Sequence, residues 1–179
     1  LAERGGKPQE TAAAFRRARQ LDPSLLEAAF LHGRTLLAQG LAREAVAELQ
    51  AVTRVTDAIP AAHLALGHAL RERDQLGEAL QSFLRAADHD PSPGEALYWA
   101  GRTAAELGRP AEAAQHLGRA VALGSPGTPW LAEAQLWLGR ALHRQGRRSE
   151  ARAALAAYLQ LAGSRAPARA EVEKLLRER

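Results

Sequence analysis

Four basic residues recur at one place in a repeated pattern, and their chemistry is suited to binding carboxylates. Successive members are 34, 34 and 38 residues apart: Arg34, His68, Arg102 and Arg140. The guanidinium of Arg is planar and presents a rigid fork of N–H donors that matches a carboxylate. The alternative is solvated Arg whose alkyl stems cover neighbouring apolar surface. We favour a binding surface, because the same chemistry repeats in register, and we take Arg102 as its central residue.

A second series of residues stands four positions before each basic residue and is apolar, and a third series stands three positions after it. Positions i and i+4 lie on the same face of an α-helix, so these series predict one surface with an apolar side and a basic side. The partner-binding residues predicted from this pattern are Phe30, Arg34, Leu64, His68, Arg71, Tyr98, Arg102, Leu136, Arg140 and His143.

No arrangement of residues in this chain predicts catalysis. The serines fall at predicted caps, turns or helix surfaces, and no glycine-rich phosphate motif follows a strand. His63 and His68 are five residues apart, a spacing that does not place them together on a helix face, and the chain has no Cys. We therefore predict that the protein is not an enzyme and has no cofactor and no metal site.

Two further features leave more than one interpretation open. Trp99, Trp130 and Trp137 could stack on a ligand, or they could pack between neighbouring repeats. The glycine-rich stretch at residues 124–127 could bind a phosphate, or it could link two repeats. We favour packing for the tryptophans and a linker for the glycines.

The period of about 34 residues indicates how the chain positions these side chains. A fixed period of this length is typical of a helix-turn-helix repeat. We predict an all-α fold in which residues 1–24 are a half repeat with only a second helix. Four helix pairs follow within residues 25–163, at 26–59, 60–93, 94–127 and 129–162, and residues 164–179 form a capping helix. Before the fourth pair, Thr128 is a predicted N-cap and Pro129 a predicted first helical residue.

One glycine lies inside the first helix of each predicted pair. A glycine in a helix costs roughly 0.5–1 kcal/mol relative to alanine, so its recurrence predicts a close helix contact with no room for a side chain. The four positions are Gly33, Gly67, Gly101 and Gly139. Small residues also recur in the second helices, at Ala45, Ala79, Ala113 and Ala151.

Together these motifs resemble the tetratricopeptide repeat. The matching residues are the pairs Leu66-Gly67 and Leu138-Gly139, the spacing of Ala79 and Phe83, and the ending Asp90-Pro91. The resemblance implies a right-handed superhelical solenoid of antiparallel helix pairs. It also implies that the first helices line a concave groove for an extended peptide or a partner helix. The chain departs from the family pattern at Asp57 and Ser125, where Pro is typical, and it lacks the usual opening Trp.

Composition limits the classes of partner. The 24 Lys and Arg residues exceed the 20 Asp and Glu residues by only four, and they are spread along the chain, so we do not expect nucleic-acid binding. No apolar run approaches the roughly 18–20 residues that a membrane-spanning helix needs. Abundant Ala, Arg and Gly are typical of a bacterial genome rich in G and C. The compartment stays open between cytoplasm and periplasm.

The sequence therefore predicts a non-catalytic protein-interaction scaffold that binds an acidic peptide or partner segment in its groove. The lysine–asparagine clamp that is usual in the family is not reproduced here. Two alternatives remain. The unpaired half repeat could support self-association, which would make the protein an assembly module. The chain could also be the regulatory arm of an enzyme whose catalytic domain precedes Leu1.

Overall fold

All regular secondary structure in the described part of the chain is helical. The computed structural model describes residues 26–163 and 166–177, so the predicted half repeat at 1–24 lies outside the described residues. The helices are α1 (Leu26–Ala38), α2 (Ala42–Thr53), α3 (Pro60–Glu72), α4 (Leu76–His89), α5 (Gly94–Glu106), α6 (Pro110–Leu123), α7 (Leu131–Arg144), α8 (Arg148–Ala162) and α9 (Arg169–Arg177). The predicted all-α class is confirmed.

The helices belong to two compact units, the first ending at Asp90 and the second beginning at Pro91. In the first unit, α1 packs on α2, α2 on α3 and α3 on α4, and α1 also contacts α3. The second unit repeats this order with α5 to α8, where α5 contacts α7, and α9 packs on α8. Within each unit, the first helices of neighbouring pairs are thus side by side.

A left-handed residue ends the first helix of each pair and turns the chain back. In the first pair this residue is Gly40, with φ of 74°. The next amide, that of Leu41, donates to the Leu36 carbonyl at 2.9 Å, which satisfies a carbonyl that the helix end leaves open. Gly108 and Gly146 repeat this geometry, while Asp74, with φ of 59°, takes the glycine's place in the second pair. Each turn is short, so the two helices it joins run antiparallel.

The predicted close contacts at the four helical glycines are confirmed. A Cβ atom on Gly33 would lie 2.6 Å from Leu49 Cγ, a distance that no real contact allows. The residues that approach the other three glycines are also from the second helix of the same pair: Phe83 at Gly67, Leu117 at Gly101 and Leu155 at Gly139. The glycines therefore let a large apolar side chain of the second helix pack directly on the backbone of the first.

The fourth pair begins later than predicted. Helix α7 starts at Leu131, with Trp130 as its N-cap residue, so the predicted start at Pro129 is wrong. Thr128 does not cap the helix with its side chain, because its Oγ1 accepts the Ser125 amide at 3.2 Å and closes a turn. The extra residues before α7 instead place the Trp130 indole against Gly94, where a Cβ would lie 2.7 Å from Trp130 Cζ2.

The last helix covers the apolar flank of the fourth pair. Val172 of α9 is fully buried in a cluster with Leu136, Leu155, Tyr158 and Ala166. The Ala168 amide donates to the Tyr158 hydroxyl at 3.2 Å. Helix α9 is thus attached mainly by apolar packing.

Asp57 gives the first unit a polar link at the position where the family has Pro. Its Oδ1 lies 2.9 Å from His63 Nε2 on α3, and its Oδ2 lies 3.6 Å from Arg85 on α4. Burial lowers the pKa of His63, although the hydrogen bond to Asp57 opposes this effect. The carboxylate therefore connects the linker between α2 and α3 to both helices of the second pair.

Candidate functional site

An open pocket lies between α1 and α3, the first helices of the first unit. Its volume is about 420 Å³. The lining residues are Phe30, Arg34, Leu37 and Ala38 from α1 and Ala61, Leu64, Ala65 and His68 from α3. Four of the predicted partner-binding residues thus meet in one concavity. Most of the lining is apolar, so the pocket suits an apolar side chain.

Arg34 supplies the positive charge at this pocket. Its side chain is exposed, and its Cζ lies 5.5 Å from the centroid of the Phe30 ring. A guanidinium on an aromatic face is held in orientation while its N–H edges stay open to a ligand. Within residues 26–163 and 166–177, no carboxylate forms an ion pair with Arg34. The first unit therefore presents an exposed guanidinium beside an apolar pocket, with no carboxylate partner among the described residues.

His68 does not extend the basic series at neutral pH. Burial, together with the nearby charge of Arg71, lowers the pKa of His68 to about 4. Its ring meets the Phe83 ring edge-on, with 5.2 Å between centroids. His68 therefore lines the pocket as a neutral imidazole that can donate or accept a hydrogen bond, and it adds no charge to the basic series.

Arg102 in the second unit is held on all sides by its own chain. Its Nη1 donates to the Tyr98 hydroxyl and its Nε to Glu106, each at 3.2 Å. Its Cζ lies 5.2 Å from the Trp99 ring centroid and 5.3 Å from that of Trp137. Burial opposes the charged form, but Tyr98 and Glu106 raise the pKa of Arg102. This residue therefore joins α5 to α7 and is not an open anchor for a ligand.

Arg140 also has a carboxylate partner within the chain. Its Nε donates to Glu171 Oε1 at 2.9 Å, and its Nη2 donates to Glu171 Oε2, so the pair is bidentate. The guanidinium lies 5.1 Å from the centroid of Trp137. Arg140 belongs to α7 and Glu171 to α9, which makes this contact a link between the fourth pair and the last helix.

The remaining predicted site residues are less accessible than the pattern suggested. Tyr98 is buried and stacks on Trp130 with 6.1 Å between centroids, and Leu136 is buried beneath α9. Arg71 and His143 are partly buried near the ends of α3 and α7. Tyr98 and Leu136 therefore contribute to packing. Trp130 and Trp137 contact Tyr98 and Arg102 of the preceding pair, as the favoured interpretation expected, while Trp99 contacts Tyr98 and Arg102 of its own helix.

Two acidic residues that bear on this surface were not singled out from the sequence. Glu106 lies four residues after Arg102 on the same helix, so the spacing alone could have identified it. Glu171 lies 31 residues after Arg140, and only the packing of α9 brings the two together. In the described residues there is no group of three or more His, Asp or Glu side chains that could hold a metal ion.

None of the described helices is both long enough and apolar enough to cross a bilayer.

Comparisons with known proteins agree with the repeat pattern. The family model described as "Tetratricopeptide repeat" matches residues 30–94, 64–128 and 131–167. No curated protein matches the chain.

Solved structures with the same fold have low sequence identity to this chain. YrrB, described as a TPR protein with an unusual peptide-binding site, is 21% identical, with a TM-score of 0.77 over 92% of this chain and 81% of that one. MamA is 21% identical, with a TM-score of 0.72 over 91% and 86%. A thermophilic TPR protein of Thermus thermophilus, TTC0263, is 24% identical, with a TM-score of 0.61 over 92% and 88%. At these identities the likeness establishes the fold.

Proposed function

The chain belongs to the tetratricopeptide repeat family, and we propose that it is a non-catalytic interaction scaffold that binds an acidic peptide through its first unit. The fold itself is typical of scaffolds for protein–protein interaction. The observation that carries the acidic preference is Arg34, an exposed guanidinium at the edge of an apolar pocket. The description of YrrB as a protein with a peptide-binding site supports a peptide as the ligand class.

The pocket and Arg34 together define the chemistry of the preferred ligand. An apolar side chain would enter between Phe30 and Leu64, where it would be removed from water. A carboxylate next to that side chain would accept hydrogen bonds from Arg34, and charge-assisted bonds of this kind are the stronger ones. The ligand class is thus a peptide segment with an apolar residue adjacent to Asp, Glu or the terminal carboxylate.

His68 adds a hydrogen-bonding group to this site without adding charge. Its pKa of about 4 means that the imidazole stays neutral between roughly pH 5.5 and 8. The positive charge of Arg34 is constant over the same range, because guanidinium does not lose its proton there. Affinity for an acidic peptide should therefore change little with pH in this interval, unlike that of a site that depends on protonated histidine.

The proposal is tested by charge reversal at Arg34. A labelled peptide that alternates leucine and glutamate should bind with a dissociation constant of about 1 μM, or roughly −8 kcal/mol. Arg34→Glu should weaken binding about tenfold or more, since a well-placed charged hydrogen bond contributes roughly 1.5–3 kcal/mol. Added salt should weaken binding as well, because exposed charges are screened over roughly 8–10 Å.

The matched control is Arg43→Glu, which makes the same change of charge on the exposed face of α2. This variant should bind the peptide nearly as well as the parent protein. If Arg34→Glu and Arg43→Glu lose affinity equally, only net charge matters and the site at the pocket is wrong. A peptide in which lysine replaces glutamate should not bind measurably, which separates an acidic preference from simple apolar binding.

A further inference from the structure

We propose a second carboxylate-binding site in the second unit, formed by Arg140 on the face of Trp137, which Glu171 of α9 occupies when no partner is bound. The inference rests on the function proposed above, since the ligand it would take is likewise a carboxylate of an acidic peptide. Glu171 is then an internal ligand, and the partner must displace it.

The geometry of the pair is that of a bound ligand. Arg140 presents two N–H groups to the two oxygens of Glu171, as a guanidinium does to a free carboxylate. The ring of Trp137 supports the guanidinium from one side at 5.1 Å. The same arrangement occurs in the first unit, where Phe30 supports Arg34 at 5.5 Å. Each unit therefore contains an arginine over an aromatic ring. Arg140 binds the carboxylate of Glu171, whereas Arg34 has no carboxylate partner among the described residues.

A competing carboxylate can reach the Arg140–Glu171 pair. The side chain of Arg140 is 27% exposed and that of Glu171 is 48% exposed. Exposed ion pairs contribute roughly 0.2–1 kcal/mol, and the bidentate geometry places this pair at about the upper end of that range. Helix α9 does not depend on this pair, because Val172 is fully buried and Leu175 and Leu176 pack against the same cluster. Glu171 can therefore turn away from Arg140 while α9 stays in place.

Local charge favours the arrival of another carboxylate once Glu171 has moved. The Cζ atoms of Arg140 and Arg102 lie 5.1 Å and 5.3 Å from the centroid of the Trp137 ring, so two guanidinium groups contact one indole. Glu106 pairs with Arg102, and Glu171 pairs with Arg140. Without Glu171 this group of side chains has an excess positive charge, which attracts an anion. Arg102 already donates to Tyr98 and Glu106, and its pair with Glu106 offsets its charge.

The test compares two alanine variants on the same helix. Glu171→Ala removes the internal ligand, whereas Glu173→Ala removes a carboxylate that pairs within α9, with Arg169 at 3.0 Å. Glutarate is titrated while the Arg Nε–H signals are followed by NMR. In Glu171→Ala, the Arg140 signal should shift saturably at about two- to fivefold lower glutarate than in Glu173→Ala, which corresponds to the loss of one exposed ion pair.

Two results would overturn the inference, one from the NMR titration and one from peptide binding. If the Arg140 signal responds identically in the two variants, or in neither, Glu171 is not an internal ligand and the inference is overturned. This readout does not involve Arg34 or a peptide, so it separates the inference from the proposed function. With the leucine–glutamate peptide, Glu171→Ala should raise affinity about two- to fivefold if the inference holds. An unchanged affinity together with a loss in Arg34→Glu would overturn the inference and leave the first-unit site supported.

Discussion

Arg102 on α5 stacks its guanidinium on the indole of Trp137 on α7, with 5.3 Å between Cζ and the ring centroid. The contact connects the first helices of two neighbouring pairs in the second unit. The sequence pattern places Arg102 at the centre of a ligand-binding series, whereas two of its N–H groups bind Tyr98 and Glu106 within the chain. Arg34, in the first unit, is exposed and has no carboxylate partner among the described residues.

Replacement of Arg102 by lysine should therefore reduce stability even though the charge is kept. Arg102→Lys loses the guanidinium contacts with the rings of Trp99 and Trp137, and a cation–π contact is worth roughly 0.5–2 kcal/mol. The free energy of unfolding, measured by urea denaturation, should fall by about 1 kcal/mol. The control is Arg119→Lys, an exposed position on α6, which should leave it unchanged. Equal stability of the two variants would contradict a structural role for Arg102.

Two glycines within the second unit should respond to alanine with opposite signs. A Cβ at Gly101 would lie 2.5 Å from Leu117 Cγ and 3.0 Å from the Leu117 amide nitrogen, so Gly101→Ala should destabilise the protein by about 1–3 kcal/mol. Nothing lies within 4 Å of the Cβ position at Gly118. Gly118→Ala should raise stability by about 0.5–1 kcal/mol, because alanine has the better helix propensity. The melting temperatures of both variants test this prediction. If the two substitutions shift the melting temperature in the same direction, the close contact at Gly101 does not explain the effect of alanine.

Acid should destabilise the first unit through His68. The folded-state pKa of about 4 lies below the ordinary value of 6.5, so the unfolded chain takes up the proton first as pH falls. The stability due to neutral His68 is complete above pH 6.5 and is lost progressively between pH 6.5 and about 4. His68→Gln should flatten this part of the curve of unfolding free energy against pH. An identical slope in His68→Gln and the parent protein would show that His68 does not carry the effect.

Disruption of α9 should reduce the stability of the fourth helix pair more than that of the second pair. Val172→Asp places a carboxylate in an apolar cluster and should cost about 3 kcal/mol. In a repeat array each pair is stabilised chiefly by its neighbours, so hydrogen-exchange protection should fall more in α7 and α8 than in α3 and α4. Lys174→Asp makes an acidic change at an exposed position of α9 and should have a small effect. A uniform loss of protection after Val172→Asp would argue against this local coupling.

The sequence by itself determined the repeat, the helix type and most helix positions. These are local properties: residues three or four apart share a helix face, and Gly40, Gly108 and Gly146 end helices through their own backbone conformation. The recurrent glycine at positions such as Gly33 even indicated a close contact. Asp74 was not identified as a turn residue, because a left-handed aspartate has no distinctive neighbour pattern.

The tertiary structure alone decided which of the in-register side chains are available to a partner. Arg34, Arg102 and Arg140 occupy equivalent positions, yet only packing between helices gives Arg102 the indole of Trp137 and gives Arg140 the carboxylate of Glu171. Burial likewise neutralises His68. Accessibility, ion pairing and pKa depend on groups that are distant in sequence and adjacent in space. A periodic pattern predicts which positions along the chain are equivalent. It does not predict which side chains from other helices will contact each of those positions in the folded protein.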